Sequence, residues 1–153
     1  PANTTVMVSA LAQPELMVET EAVASTQRVE LIEPAWRGKP QGYSMAAKVG
    51  NTLYVSGQVS RNREGTIIGP GNIAMQVDQA LQNMGIVLAE AGASYRDVVK
   101  LTAFLTNAAF FPYWHEGRQR YFPKEPPAST GVAVPALARP DFLIEVEAIA
   151  VLP

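Results

Sequence analysis

Two carboxylates set two residues apart, Glu145 and Glu147 in the run IEVEA, are the most suggestive chemical pair in this chain. On an extended strand such residues share one face, with Cα atoms roughly 6.5–7 Å apart. One could then act as an acid and the other as a base. The alternative is an outer-face pair satisfied by solvent or by an arginine at an interface. His115 is the single histidine, and histidine is the side chain that titrates near neutral pH. It would serve as a general base across a cleft from Glu145, or else lie on a helix surface among Phe111, Trp114 and Tyr121. Ser56-Gly57 offers a backbone N–H to an oxyanion, or is simply a place where a strand needs small residues. Tyr43 can stack on a ligand or pack half-buried. Arg37, Arg118, Arg120 and Arg139 are the candidate cations, and Arg118 falls one helical turn from His115. The glycine-rich GTIIGPG lacks the GK[ST] of a phosphate loop and reads as a structural turn.

The elements that must position these residues follow from periodicity. Gln27–Ile32 reads as a short strand, followed by the Pro- and Gly-rich EPAWRGKPQG. Tyr43–Val49 and Thr52–Val59 flank Gly50-Asn51, the signature of a hairpin. Val77, Leu81, Met84 and Leu88 recur at helical spacing and predict a helix over 73–91, capped by Asn72 and ended by Gly92. Asp97–Thr106 predicts a strand and Ala108–Phe122 a second helix, with Pro112 tolerated in its first turn. After KEPP come two further strands, Thr130–Ala136 and Phe142–Leu152. The order β-β-β-α-β-α-β-β predicts an α+β two-layer sandwich, with two helices on one face of a mixed sheet. The other face, still rich in Val, Ile and Leu, is expected to be covered by oligomerisation.

Composition narrows the partners. The chain has 153 residues, of which 48% are hydrophobic and 17% charged, as in a folded domain. Twelve Lys plus Arg against 14 Asp plus Glu give −2, without a basic stretch to bind nucleic acid. No apolar run approaches the roughly 20 residues that cross a bilayer, so a soluble chain without a membrane partner is expected. The absence of cysteine excludes disulfides and thiolate chemistry and fits a reducing, cytoplasmic setting. With one histidine besides, no transition-metal site is expected. No signal-peptide pattern opens the sequence, and its abrupt start at Pro1 suggests a processed or excised piece of a longer chain.

An internal repeat dominates the organisation. PANTTVMVSALAQPELMVETEAVAS, residues 1–25, lies over PASTGVAVPALARPDFLIEVEAIAV, residues 127–151, at a constant offset of 126, with 13 of 25 positions identical. The chain therefore reads as the last two strands of one domain copy, 1–25, followed by a full copy, 26–153. Residues 1–25 are expected to pair as strands, completing a neighbouring subunit or a preceding tandem domain.

The motifs YVSGQVS (54–60), GTIIGPG, LAEAGAS (88–94), DVVKLTAFLTN (97–107) and PAS…VAV…LIEVEAIAV resemble the YjgF/RidA family. Its members are also called reactive-intermediate deaminases or endoribonuclease L-PSP proteins, and the resemblance runs from about Tyr43 to Leu152. It implies a chorismate-mutase-like fold and a homotrimer with ligand clefts between subunits. It further implies hydrolysis of an imine or enamine to ammonia and a 2-keto acid, without metal or cofactor. Residue by residue, it implies that Tyr43, Ser56 and Gly57 line the cleft and that Glu145 orients water. His115 stands where deaminating members carry an Asn.

One position departs from the pattern. Deaminating members carry an Arg directly after the Pro-Ala of the penultimate strand, gripping the substrate carboxylate in two-pronged fashion. This chain has Ser129 there, and its N-terminal duplicate has Asn3. Losing such a contact costs on the order of 2–5 kcal/mol of binding. Two functions stay open. One is an atypical hydrolase or deaminase of small imines, enamines or related carbonyl compounds, with Glu145 and His115 catalytic and with Tyr43, Ser56, Gly57, Ser129 and Arg118 binding substrate. The other is a non-catalytic trimer that binds a small metabolite or a protein partner. Ribonuclease chemistry fits poorly, because a lone histidine supplies no acid–base pair.

Overall fold

The computed structural model describes residues 1–35 and 42–153. Ten regular elements follow in chain order: β1 (Val6–Met7), β2 (Val29–Ile32), β3 (Ala46–Val49), β4 (Thr52–Val59), α1 (Ile73–Glu90), β5 (Val98–Leu105), α2 (Phe111–Tyr121), β6 (Ala128–Ala133), β7 (Ala136–Leu137) and β8 (Ile144–Val151). Six strands form one sheet in the order β2-β3-β4-β8-β5-β6, antiparallel except for the parallel pair β5–β6. That parallel pair requires a crossover, which α2 supplies.

Local chemistry sets these elements as the sequence predicts. Gly50, at φ +57°, turns β3 into β4. Asn72 accepts a hydrogen bond from the Met75 amide (3.1 Å) and caps α1. Gly92, at φ +74°, ends that helix, and the Ala93 amide folds back on Leu88 O (2.8 Å). Both helices cover one sheet face. Val77, Leu81, Met84, Leu88 and Trp114 pack there on Leu53, Val55, Leu101, Ala103, Ile144, Val146 and Ala148. The alternation along β8 thus sends its even residues into the core and turns Glu145 and Glu147 to the opposite face.

That opposite face carries a smaller apolar cluster of its own, Val59, Val134, Leu137 and Phe142, with Val6, Ile67 and Phe104 against it. Val6 arrives from the N-terminal repeat: β1 pairs antiparallel with β7, Val6 opposite Leu137 and Met7 opposite Ala136. Only this part of residues 1–25 forms a strand. Residues 17–25 repeat the sequence of β8, yet Met17 is 97% exposed and Val18 77%. The reason is steric: the slot between β4 and β5 that such a sequence fits is already filled by β8 itself. No helix among the described residues is long and apolar enough to cross a membrane.

Candidate functional site

The site is built where β4 is irregular. Its pairing with β8 is regular up to Val55–Ala148 and resumes at Gln58–Val146, so Ser56 and Gly57 form a bulge. A bulge redirects backbone groups out of the ladder. Here the Ser56 amide reaches Met45 O (3.0 Å) and the Ser56 hydroxyl donates to Ser44 O (2.5 Å). Two buried polar side chains of α1 steady the surroundings. Asn83 donates to Val59 O (2.9 Å) and Arg61 O (2.8 Å), and Gln76 Nε2 reaches Asp141 O (2.9 Å).

Glu145 lies against this bulge. Its side chain crosses the Cα of Gly57 so closely that a Cβ there would stand 1.8 Å from Oε1 and 2.6 Å from the carboxyl carbon. Glycine is needed for proximity, not for an unusual φ. Glu145 is 7% exposed, and burial, aided by the charge of Glu147, raises its pKa from 4.5 to about 7. A hydrogen bond from the backbone amide of Thr5 pulls the other way. A carboxyl so poised can both take and give a proton at neutral pH.

The N-terminal segment completes the site. Pro1 O accepts from the Ser44 amide (2.8 Å), the Asn3 amide donates to Ser56 Oγ (2.9 Å), and the Gly57 amide donates to Asn3 O (3.1 Å). The N–H of Gly57, the backbone donor that the sequence offers to an oxyanion, is thus engaged by Asn3 O, and the Ser56 hydroxyl oxygen accepts from the Asn3 amide.

Other predicted site residues lie elsewhere in the same chain. Tyr43 is half-buried and packs on the main core. His115 is exposed on α2, in the helical layer and so on the far side of the sheet from Glu145. Arg118 lies over the ring of Trp114, 5.8 Å from its centroid. Ser129, exposed in β6, pairs with the core residue Leu101 and so faces the helical side. Arg120 bonds Asp78 (3.2 Å) and Arg139 bonds Asp141 (2.9 Å); Arg37 lies outside the described residues. One chain thus brings together Ser56, Gly57 and Glu145, and adds Ser44, Asn3 and Thr5, which residue types alone do not single out. The 126-residue repeat was the signal for Asn3, because it matches Ser129. No group of three or more His, Cys, Asp or Glu placed to hold a metal occurs among the described residues. A shallow depression of about 340 Å3 lined by Arg28, Glu30, Lys48 and Gly50 lies on the β2–β3 side and holds none of these residues.

A family model described as "Endoribonuclease L-PSP" matches residues 38–152. The chain belongs to that family, the RidA/RutC proteins. It is 42% identical over 113 residues to a RutC family protein of Pyrococcus abyssi, an alignment covering 73% of this chain and 88% of that one. A 2-iminobutanoate/2-iminopropanoate deaminase of mouse is 38% identical over 109 residues, covering 71% and 80%. RidA from the Antarctic bacterium Psychrobacter sp. PAMC 21119 superposes with a TM-score of 0.74 at 28% identity, covering 80% of this chain and all of that one. The two-layer α+β fold and mixed sheet read from the sequence are those of the RidA/RutC family.

Proposed function

We propose that this RidA-family chain hydrolyses small imines, enamines or related carbonyl derivatives, with Glu145 as its general acid–base. The observation that carries the reading is the buried Glu145 carboxyl, with its pKa near 7, set against the Cα of Gly57 and accepting from the backbone N–H of Thr5. The relatives named as imine deaminases support the same class. In the ionised state Glu145 takes a proton from a water molecule as the water oxygen bonds to the imine carbon. The C=N π electrons pass to nitrogen, which takes that proton back from Glu145 and leaves the carboxylate ionised beside a neutral carbinolamine. The carbinolamine then loses ammonia: Glu145 takes the hydroxyl proton and passes it to nitrogen, the C–N bond breaks and C=O forms. The N–H of Gly57 is suited to a substrate oxygen, in the place that Asn3 O holds. The working form is a cytoplasmic homotrimer needing neither metal nor cofactor, in which Tyr43, Ser129, Arg118 and His115 border the inter-subunit cleft.

A specific observation favours a second reading, that of a non-catalytic binder: Asn3 already occupies the Gly57 N–H and the Ser56 hydroxyl oxygen, and Ser129 brings no charge. Ammonia release from freshly generated 2-aminoacrylate and 2-iminobutanoate separates the two. The hydrolase reading expects release above the spontaneous rate, reduced on the order of 100-fold or more in Glu145→Gln. Parent protein no faster than buffer, while still binding a 2-keto acid in calorimetry, supports the binder instead.

A further inference from the structure

The segment Pro1–Met7 lies in its groove like a strand. Ala2, Thr4 and Val6 are half-buried, while Asn3, Thr5 and Met7 are exposed. The repeat sorts along the same division. The three inward residues are identical to Ala128, Thr130 and Val132, whereas the three outward ones differ from Ser129, Gly131 and Ala133. What the groove touches is therefore what the two segments share.

Residues 127–133 are also presented correctly for the same groove on another molecule. β6 is the last strand of the sheet, and all six of its residues are exposed. Ala128, Thr130 and Val132 pair with Lys100, Thr102 and Phe104, which places them on the face opposite the helices. Val132 is 39% exposed there, whereas its counterpart Val6 packs on the cluster of Val59, Leu137 and Phe142. The backbone agrees as well. The Val134 amide bonds Leu105 O (2.8 Å), and amides alternate sides along a strand, so Ser129 and Gly131 aim theirs at the free edge. Their counterparts Asn3 and Thr5 are the residues whose amides serve Ser56 and Glu145.

We propose that Pro1–Met7 is an intramolecular stand-in for Pro127–Ala133 of a second copy. It fills the groove of Ser44, Ser56, Gly57, Glu145 and β7 into which that edge strand docks, so its position decides whether chains assemble. Groove and edge strand are different patches, so docking is head-to-tail, and the contact repeats until a ring closes. The assignment does not depend on the hydrolase reading, because it is tested by mass and not by turnover.

The test is a reversible lock. The chain contains no cysteine, so Met7→Cys with Ala136→Cys, opposite one another in β1 and β7, leaves one possible disulfide within the chain. Light scattering after gel filtration is expected to give 16.5 kDa for the oxidised double variant at every concentration. The reduced form is expected to reach a defined multiple of that mass as concentration rises. Asn3→Pro, which removes the N–H donated to Ser56, is expected to shift assembly to at least tenfold lower concentration. A synthetic peptide PASTGVAV is expected to bind the reduced form and not the oxidised one. The proposal is overturned if oxidised, reduced and Asn3→Pro proteins share one mass, whatever it is. It is equally overturned if the oxidised sample runs as disulfide-linked multimers on a non-reducing gel, since the segment would then pair between chains from the outset.

Discussion

The carboxyl of Glu145 rests on the Cα of Gly57, where a Cβ would stand 1.8 Å from Oε1. No rotamer adjustment of a few tenths of an ångström relieves such a contact, so Gly57→Ala must move Glu145 out of its place. The expected result is a loss of about 1–3 kcal/mol of stability, the usual cost of overpacking, together with loss of any Glu145-dependent turnover. Urea unfolding reads the first, and a carbon-13 titration of the Glu145 carboxyl reads its displacement. An unchanged titration in Gly57→Ala would mean that the contact is not what holds the carboxyl.

Glu145 also makes stability depend on pH. Its pKa in the fold is about 7, above the ordinary 4.5, so the folded protein holds the proton more tightly than the unfolded chain. Its contribution is therefore fully present below pH 4.5 and is lost as pH rises through 7. A shift of that size corresponds to roughly 3 kcal/mol. Urea midpoints measured from pH 4.5 to 8 should fall for the parent and flatten for Glu145→Gln. Equal slopes in the two proteins would contradict the assignment.

The sheet, the hairpin and α1 were legible because each is marked twice, by apolar periodicity and by a residue with a backbone role, Gly50, Asn72 or Gly92. The shared face of Glu145 and Glu147 was legible from the two-residue spacing alone. The contact of Glu145 with Gly57 was not, since a serine and a glycine in a strand equally suit plain close packing. The repeat identified which residues match, yet could not say that the first seven would dock in their own chain. Nor could it say that 17–25 would stay unpaired, because pairing depends on which slots are vacant. His115 and Glu145 fall on opposite sides of the sheet for a reason sequence carries only weakly: α2 shares its layer with α1, and Glu145 sits on an odd position of β8.

Asn83 couples the helix layer to the bulge from behind. Buried at 2% exposure, it bonds the carbonyls of Val59 and Arg61 at 2.9 and 2.8 Å, fixing the end of the strand that carries Gly57. Asn83→Ala leaves both carbonyls without that partner, and a loss of about 2 kcal/mol or more is expected. Asn83→Asp should be at least as damaging, because it sets a carboxylate against two acceptors. Thermal melts of the two variants check both statements, and a change within error for either would remove Asn83 from the supports of the site.

An arginine restored to the cleft should reveal which strand occupies it. Asn3 and Ser129 hold equivalent places in the two repeats, and a guanidinium that grips a substrate carboxylate adds about 2 kcal/mol or more. That is on the order of 30-fold in kcat/KM for 2-iminobutanoate hydrolysis. In the oxidised Met7→Cys/Ala136→Cys background, Asn3→Arg is expected to give the gain and Ser129→Arg none. In the reduced, assembled protein the order should reverse, because the edge strand of the next copy then supplies the residue. A gain from Ser129→Arg in the locked monomer would place its guanidinium in its own chain's cleft, against the sheet geometry that turns Ser129 to the helical side. Equal silence of both variants in both states would instead remove the carboxylate-bearing imines from the substrates of this site.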